Sequence, residues 1–508
     1  MQKFIKLVNA ILLSNKFFLF IIGLLVFQAL WLALSARYPL AFDENFHYGI
    51  IKLFSHQWGP FFTSTPVDSG AYGALTRDPS YLYQYLMSFP YRLIALFVHN
   101  EMWQIILLRL INIALFAAGL VAFRRLLSQL AIPKKLIHFS LLMFVLVPVV
   151  PFLAAHINYD NLLFLLIPVT LSLTLRCARA LRAEKPLPAA TVALLIISLL
   201  LTSLVKYVFL PVAVAIVIYL VVTWLRQPDW KRVLPSFVRS FRALRWWLQL
   251  GIIAGLLVSG GLFIERYGTN IIQYHDIAPE CSKVESVEHC SQYGPWFRNY
   301  TLAAAKKLSE EPVNTDLFTF SGLWVYDLLY RLYFAINYDY STKPPLILPF
   351  IMALVVTISG LLFIARWGVG IVRRNHELLL PLGAIVLYGA TLFYKNYNDY
   401  LAYGERVAIN GRYFIPFLPI IFVMVGLAAY QLLRRFKHRT AITAVSASLL
   451  LLVALQGGGL LTFIVLSDAG WYWPNDVVIA VNQVAHNLIS PLILQVDYTS
   501  PLFRLLVQ

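Results

Sequence analysis

A long apolar run followed by an acidic, amphipathic segment decides how this chain folds. Residues 17–36 read FFLFIIGLLVFQALWLALSA, and residues 41–57 read AFDENFHYGIIKLFSHQ. The first stretch is long enough to cross a bilayer as a helix. The second opens with Asp43 and Glu44 and continues with apolar residues at helical spacing, which is typical of a helix lying on a membrane surface. The sequence therefore predicts a carboxylate pair where the chain leaves the membrane.

Two interpretations of this acidic pair stay open. Carboxylates at a membrane boundary are costly to desolvate, so the pair favours cation binding or proton transfer. Alternatively, Asp43 caps a helix that begins near Asn45 in a solvated loop. His47 follows three residues after Glu44 and is a candidate supporting residue.

The composition places the chain among membrane proteins. Of its 508 residues, 60% are hydrophobic and 13% are charged, whereas soluble domains carry about 25% charged residues. The formal net charge is +17, but the basic residues concentrate in alternate loops. This distribution indicates membrane topology, with contacts to anionic lipid, and argues against nucleic acid as a partner.

Apolar windows of about 20 residues predict about eleven transmembrane helices in an all-α protein. The predicted spans are 17–36, 102–123, 136–154, 161–176, 189–205, 207–225, 246–264, 345–365, 378–394, 413–432 and 441–466. Residues 37–101 then form the first outer loop with two surface helices, the second over 81–98, where Pro90 and Arg92 interrupt the apolar pattern. Residues 81–98 are apolar enough to span as well, but a span there would reverse the alternation of loop charges.

The basic residues also predict the orientation. One set of loops holds 24 of the 41 Lys and Arg residues and only three of the 24 acidic residues, Glu184, Asp229 and Glu377. Because positive loops stay inside, this set is cytoplasmic, with the N-terminus inside and the C-terminus outside. Residues 1–466 form the predicted membrane module, and residues 467–508 form a short extracytoplasmic tail.

A second carboxylate lies between the third and fourth predicted spans. Residues 155–161 read AHINYDN, which places Asp160 at the outer boundary with His156 nearby. Asn and Asp also suit a tight turn between helices. If Asp160 faces the first acidic pair across a cavity, Glu44 and Asp160 are candidate ligands for Mg²⁺ or Mn²⁺, which prefer carboxylate oxygen.

Several cations lie where outer segments meet the membrane. Lys206 separates two apolar runs, and Arg412 lies in the sequence NGRYFIPFLP at a re-entry point. Each suits a lipid phosphate, although interfacial anchoring is the alternative. Arg109, inside the second span, either snorkels outward or serves the same purpose. The candidate phosphate-binding residues are Arg412, Lys206, Lys395 and Arg406, with Tyr413 as a supporting residue.

The largest predicted outer loop, residues 265–344, contains Cys281 and Cys290. In an oxidising compartment these two cysteines are candidates for a disulfide, whereas Cys177 lies on the predicted cytoplasmic side. The loop is also rich in Trp and Tyr. Aromatic rings beside polar groups suit sugar stacking, but they also suit any membrane interface.

Taken together, these placed features resemble the GT-C superfamily of integral-membrane glycosyltransferases, which use polyprenyl-phosphate-linked sugars. An Asp-Glu pair follows the first span, surface helices follow the pair, and an acidic residue separates the third and fourth spans. The stretches AFDENFHYGII and NGRYFIPFLP also resemble a bacterial membrane-protein family grouped with that superfamily. The resemblance covers residues 1–466, and the large soluble C-terminal domain of some members is not seen.

The resemblance implies a function and a location. Asp43 would be the catalytic carboxylate, with Glu44 and Asp160 supporting it or binding a metal. The donor would be a polyprenyl-phosphate-linked sugar, and the acceptor a glycan, a lipid or a protein. The chain would lie in the bacterial inner membrane with its site on the extracytoplasmic face.

Two other classes of function remain open. A transporter or a flippase for lipid-linked saccharides would use the same carboxylates for ion coupling, and a scaffold for polysaccharide assembly would not need them. Coupling sites usually lie near the bilayer midplane on broken helices. Asp43, Glu44 and Asp160 instead fall at the ends of predicted spans, which favours the transferase.

Overall fold

Helices make up nearly all of the regular structure in the computed structural model. It describes residues 10–39, 43–67, 69–183, 187–228, 233–309, 316–333, 337–338, 341–342 and 347–493. The first nine helices are α1 (Asn15–Ser35), α2 (Glu44–Ser55), α3 (Leu82–Phe97), α4 (Glu101–Gln129), α5 (Lys134–Val145), α6 (Val149–Ala154), α7 (Tyr159–Arg182), α8 (Ala189–Val205) and α9 (Leu210–Leu225).

The second half of the chain continues this helical pattern. Its helices are α10 (Val233–Arg242), α11 (Trp246–Phe263), α12 (Thr269–Tyr274), α13 (Cys281–Val284), α14 (Val287–Cys290), α15 (Gly294–Leu308), α16 (Leu317–Tyr333), α17 (Ile347–Arg374), α18 (Leu379–Tyr403), α19 (Leu418–Leu433), α20 (Arg439–Ala454), α21 (Leu461–Leu466) and α22 (Asp476–Ile489). One antiparallel ribbon pairs Asn337–Tyr338 with Ser341–Thr342.

In the described part of the chain, seven helical stretches are long and apolar enough to cross a membrane. They are Asn15–Ser35, Glu101–Gln129, Tyr159–Arg182, Tyr207–Leu225, Trp246–Tyr274, Ala353–Arg374 and His376–Tyr403. Shorter apolar helices occupy Ala189–Val205, Leu418–Leu433 and Arg439–Ala454. The prediction of a helical membrane protein is confirmed, while the count of eleven spans and the GT-C fold stay predictions.

Two predicted spans are each divided between two α-helices. The span 136–154 is divided between α5 and α6, because Pro148 lacks an N–H and disfavours a helical residue before it. The span 441–466 is divided between α20 and α21 at a glycine run, where Gly457 and Gly459 have positive φ angles of 123° and 59°. Hydropathy alone did not reveal either break.

The two breaks satisfy each other's backbone groups. The Gly459 N–H donates to the Leu146 carbonyl at 2.7 Å. The Gln28 side chain of α1 accepts from the Leu460 N–H at 2.9 Å and donates to the Val145 carbonyl at 3.2 Å. An interrupted helix inside a membrane needs such partners, since lipid offers none. Gln28, buried in an apolar helix, therefore holds both breaks in contact.

The helices predicted for the first outer loop are present as α2 and α3. Pro90 lies within α3, and Arg92 donates to the carbonyls of Phe54 and Ser55 at the end of α2. Arg92 thus satisfies carbonyls that the helix end leaves without an intrahelical partner. Leu96 and Phe97 of α3 are largely exposed, which fits contact with lipid. That these helices lie on the membrane surface stays a prediction.

The predicted C-terminal tail packs against the first helix. Arg37 N–H donates to the Trp471 carbonyl at 2.9 Å, and Trp473 N–H donates to the Ser35 carbonyl at 3.0 Å. The described part of residues 467–508 therefore meets the end of α1 from which the first outer loop departs. Residues 494–508 lie outside the described part of the chain.

The predicted topology generates a labelling experiment. In a variant without native cysteines, Ser282→Cys, an exposed position between Cys281 and Cys290, should react with a membrane-impermeant maleimide in intact cells whose inner membrane is closed. In a variant without native cysteines, Arg242→Cys should react only after permeabilisation, because the basic loop around α10 is predicted to be cytoplasmic. Mass spectrometry of the labelled peptides provides the readout. The reverse pattern would contradict the orientation.

Candidate functional site

The side chains of the adjacent residues Asp43 and Glu44 lie in different environments. Asp43 precedes α2 with φ 63° and ψ 30°, in the left-handed region that Asp tolerates better than most residues. Its side chain makes no helix-capping hydrogen bond. Instead, Oδ2 accepts from Nη2 of Arg412 at 2.7 Å. The expectation of a simple N-cap is therefore wrong, and the carboxylate belongs to an ion pair with a distant segment.

Glu44 forms a fully buried ion pair with Arg109 of α4. Nε and Nη2 of Arg109 donate to the two carboxylate oxygens at 2.9 and 2.7 Å. Nη1 of Arg109 donates to the carbonyls of Ala36 at 2.6 Å and Ala33 at 3.2 Å. The Ile157 N–H also donates to Glu44, at 3.3 Å. This network joins the end of α1, the start of α2, the middle of α4 and the turn before α7.

These contacts correct two expectations. Arg109 does not snorkel to the interface, and its contacts with Glu44 and two backbone carbonyls leave it buried rather than open to a lipid phosphate. Both oxygens of Glu44 accept hydrogen bonds within the protein and neither is exposed. The geometry therefore does not support Glu44 as a catalytic or metal-binding residue; it fits a structural anchor.

Asp160 and Lys206 form a second buried ion pair. Nζ of Lys206 lies 2.6 Å from Oδ1 of Asp160, and it lies over the rings of Tyr159 and Tyr413 at 4.4 and 4.9 Å from their centres. The Asp160 N–H is held by the Asn158 side chain at 2.8 Å. Oδ2 of Asp160 is buried and has no hydrogen-bond partner among the described residues.

The two ion pairs belong to one site. Tyr413 follows Arg412 in the chain, and its ring contacts Lys206 as well as the Arg412 guanidinium, which lies 5.5 Å from the ring centre. Burial lowers the pKa of Lys206, and the nearby charge of Arg412 lowers it further, against the opposite effect of Asp160 and Asp43. The structure thus brings together Asp43, Asp160, Lys206 and Arg412.

Asp43 is the accessible member of this charge cluster. Its side chain is 46% exposed, whereas the side chains of Arg412, Lys206 and Asp160 are 6%, 4% and 2% exposed. Desolvation by the surrounding protein acts to raise the pKa of Asp43 although the side chain reaches solvent, but the Arg412 guanidinium outweighs this effect and the pKa lies below its usual value. Asp43 is therefore ionised at neutral pH, and it sits in front of two buried cations.

The two predicted supporting histidines occupy different places. The His47 ring packs edge-on against Tyr159, with the ring centres 4.5 Å apart. Nδ1 of His47 lies 3.0 Å from the Gln84 amide, and the amide orientation that satisfies all its partners has the Gln84 oxygen accepting from Nδ1. Burial lowers the pKa of His47 to about 3 and that of His156 to about 4, so both rings are neutral. His47 lines the charge cluster, while His156 lies beside Glu44 and Arg109.

A glycine shapes the turn that carries Arg412. The Asn410 side chain accepts from the Arg412 N–H at 3.0 Å and starts a tight 3-10 turn, Gly411–Phe414. A Cβ at Gly411 would overlap the carbonyl oxygen of Leu328 in α16. Helix α16 therefore packs directly on this turn. The outer segment that contains α16 helps to position Arg412.

The contacts of Lys395 and Arg406 are with other acidic residues. Lys395 pairs with Asp399 one turn later on α18, at 3.0 Å, and Arg406 pairs with Asp327 of α16, at 2.7 Å. Their predicted role in phosphate binding stays a prediction, without support from these pairs.

The disulfide predicted between Cys281 and Cys290 is present, with the sulfur atoms 2.02 Å apart. Cys177 is a free, buried cysteine on α7. The disulfide closes a short segment that contains α13 and α14. Tyr293, three residues after Cys290, packs against Phe46 of α2 and thereby places this segment near the candidate site.

Sequence reasoning missed a polar network behind the charge cluster. Asn112 of α4 accepts from the Tyr83 hydroxyl at 2.8 Å and from the Asn161 amide at 3.0 Å. The signal was present, because Asn112 follows Arg109 by three residues and both face one side of an otherwise apolar helix. Tyr159, which packs on His47 and Lys206, was also missed.

The acidic residues of the site do not fit a divalent cation as they stand. A metal between Asp43 and Asp160 would have to displace Arg412 and Lys206 from their carboxylate partners. The described residues also contain no group of three or more His, Cys, Asp or Glu side chains arranged for a metal. A role for Mg²⁺ or Mn²⁺ stays a prediction, and no step proposed below uses a metal.

Comparison with known proteins does not identify a family for the chain. No protein-family model matches the chain, and neither the curated proteins nor the solved structures contain a match.

The buried ion pair generates a stability prediction. Glu44→Ala should lower the free energy of unfolding by about 3–5 kcal/mol, because it leaves the Arg109 charge buried without its carboxylate. Lys52→Ala is the matched control: it removes an exposed ion pair between the same two helices, Lys52 of α2 with Glu101 of α4, and should change stability by less than about 1 kcal/mol. Denaturant titrations in mixed micelles measure both. Equal effects would show that the buried pair does not anchor the fold.

Proposed function

We propose that the protein transfers a sugar from a polyprenyl-phosphate donor to an acceptor hydroxyl at the extracytoplasmic membrane face. One observation carries the proposal: an accessible, ionised Asp43 stands in front of the buried cations Arg412 and Lys206, at helix ends. Such a site offers a base to an acceptor and positive charge to a leaving phosphate. Its place at the ends of apolar helices suits a donor whose tail stays in lipid.

The cations are suited to the leaving phosphate. Charges of opposite sign attract more strongly in a poorly solvated site than in water, so Arg412 and Lys206 would stabilise the phosphate charge that develops as the sugar departs. Arg412 can meet two phosphate oxygens at once, whereas Lys206 acts as a point charge. The rings of Tyr159 and Tyr413 keep Lys206 in place.

Donor binding would change the partner of Arg412. In the resting site Arg412 pairs with Asp43, and an incoming phosphate competes for the same guanidinium. Once Arg412 turns to the phosphate, Asp43 loses its strongest stabilising partner and the pKa of Asp43 rises toward its ordinary value. The carboxylate then becomes a stronger base at the moment when the donor is in place.

The reaction then proceeds by a balanced displacement. Asp43 accepts the proton of the acceptor hydroxyl while the acceptor oxygen forms a bond to the anomeric carbon. The bond between that carbon and the phosphate oxygen breaks, and its electron pair leaves with the polyprenyl phosphate beside Arg412 and Lys206. In-line placement of the two oxygens and the carbon accounts for much of the rate gain. Glu44 and Asp160 act as positioning residues, for α2 and for Lys206 respectively.

The proposed role of Asp43 as the base leads to the central prediction. Asp43→Asn should reduce transfer by about 10²- to 10⁴-fold, because Asn keeps the size of Asp but cannot accept the proton. The assay uses purified protein, a panel of radiolabelled polyprenyl-phosphate monosaccharides and an acceptor-containing envelope extract. Asp476→Asn changes an exposed carboxylate at the start of α22 and should leave the rate unchanged.

Two results would contradict this assignment. Full activity of Asp43→Asn would remove Asp43 as the base. A wild-type protein that transfers no sugar in the panel, but moves ions or lipid-linked saccharides across proteoliposome membranes in an Asp43-dependent way, would instead support a transporter.

The proposed contact between Arg412 and the donor phosphate leads to a separate prediction about binding. Arg412→Ala should weaken binding of polyprenyl phosphate by about 10- to 100-fold, as expected for loss of a charged hydrogen bond of roughly 1.5–3 kcal/mol. Arg412→Lys should recover part of the affinity, because it keeps the charge but not the two-point contact. Equilibrium binding to protein in nanodiscs measures the affinities.

Arg406→Ala serves as the comparison variant. Arg406 pairs with Asp327, so its loss should leave affinity for polyprenyl phosphate unchanged. A larger effect at Arg406 than at Arg412 would contradict the proposed phosphate site and restore Arg406 as the main phosphate-binding residue.

A further inference from the structure

The disulfide-closed segment packs onto the loop beside the candidate site. The Gln292 side chain lies so close to Gly70 that a Cβ there would overlap its amide oxygen. Nε2 of His289 lies 3.4 Å from the Gly73 carbonyl oxygen. Gly73 has a φ of 71°, in the region that favours glycine. Two outer segments far apart in the chain therefore meet at the 3-10 turn Gly70–Tyr72.

Four aromatic rings gather where these segments meet. The Tyr293 ring centre lies 5.1 Å from that of Phe46, and Phe46 lies 6.1 Å from Tyr72. Nε1 of Trp296 lies 3.3 Å from the position that a Cβ on Gly73 would occupy. All four rings are half-buried, so each keeps part of its surface accessible. We call these residues, Phe46, Tyr72, Tyr293 and Trp296, the aromatic platform.

The platform is next to Asp43. Phe46 lies one turn after Asp43 on α2, and it is the ring against which Tyr293 packs. Burial raises the pKa of Tyr293, and the negative charge of Asp43 is the next cause of that increase. The Tyr293 hydroxyl therefore stays protonated and can donate a hydrogen bond. The platform thus combines apolar ring surface and a polar donor beside the accessible carboxylate.

We infer, on the basis of the proposed function, that the aromatic platform binds a pyranose ring and that Tyr293 is its central contact. The C–H face of a pyranose packs on aromatic rings, while its hydroxyl groups take hydrogen bonds from neighbouring donors. A lipid tail would need no donor and no accessible carboxylate beside the rings. The sugar is either the one transferred or the one that accepts it, since both must reach Asp43.

The disulfide explains how an outer segment holds such a surface. Cys290 lies three residues before Tyr293, and both bonded cysteines are buried. The covalent link restricts the segment in the absence of ligand, so less conformational freedom is lost when a sugar binds. Tyr293 acts as a binding residue, and the disulfide acts only through the position of Tyr293.

Saturation-transfer-difference NMR tests the platform without relying on turnover. The protein in nanodiscs is titrated with methyl pyranosides of glucose, galactose, mannose and N-acetylglucosamine, and with glycerol as a polyol without a ring. At least one pyranoside should receive saturation from wild-type protein, and glycerol should not. Tyr293→Leu keeps apolar volume against Phe46 but removes the ring, and it should weaken binding about 3- to 10-fold.

Two further variants separate ring stacking from general damage. Tyr293→Phe keeps the ring and should retain most of the binding. Phe297→Ala removes a neighbouring ring that is 57% exposed and should bind as the wild type does. Absence of binding to every pyranoside, or equal binding by Tyr293→Leu and wild type, would overturn the platform.

Transfer kinetics identify the source of the sugar. A raised KM of Tyr293→Leu for the polyprenyl-phosphate monosaccharide alone assigns the platform to the transferred sugar, and a raised KM for the acceptor alone assigns it to the accepting sugar. An unchanged KM for both would overturn the platform. Pyranoside binding by a wild-type protein that transfers nothing would support the platform while contradicting the proposed transferase.

Discussion

The buried pair of Glu44 and Arg109 is the interaction on which the site depends. A charge removed from water is tolerated only with close partners, and here two carboxylate oxygens and two backbone carbonyls surround one guanidinium. Those carbonyls belong to the end of α1, where a helix leaves its last acceptors without intrahelical donors. The pair thereby sets where α2 begins. Asp43, directly before α2, has a left-handed backbone, and its carboxylate accepts a hydrogen bond from Arg412.

The remaining charges alternate across the site. Asp43 meets Arg412, and Lys206 meets Asp160, so each charge has an opposite partner in the resting protein. A phosphate would enter this arrangement by exchange for a carboxylate. Under the proposed function, this exchange would link donor binding to the basicity of Asp43. Exposure decreases from the accessible side chain of Asp43 to the buried side chains of Arg412 and Lys206.

Polar groups inside apolar helices determine where distant parts of the chain meet. Gln28 joins the breaks around Pro148 and Gly459, and Asn112 joins α3, α4 and α7 behind the charge cluster. Each of these side chains lies in a helix whose hydropathy is high enough to predict a membrane span. Because lipid cannot satisfy such groups, each one requires a specific protein partner. These contacts therefore help to specify the relative position of the helices.

The sequence by itself determined the membrane class, most of the long apolar helices, the disulfide and the location of Asp43, Asp160, Lys206 and Arg412 near helix ends. Those features follow from local hydropathy and from residue type, which need no knowledge of distant contacts. Only the tertiary structure decided which carboxylate serves which cation. Asp43 and Glu44 are neighbours with the same local signal, yet one pairs across 369 positions with Arg412 and the other across 65 with Arg109. The helix breaks and the aromatic platform were also not predicted from the sequence. Burial, and therefore the environment of each polar group, is set by packing between segments far apart in the chain.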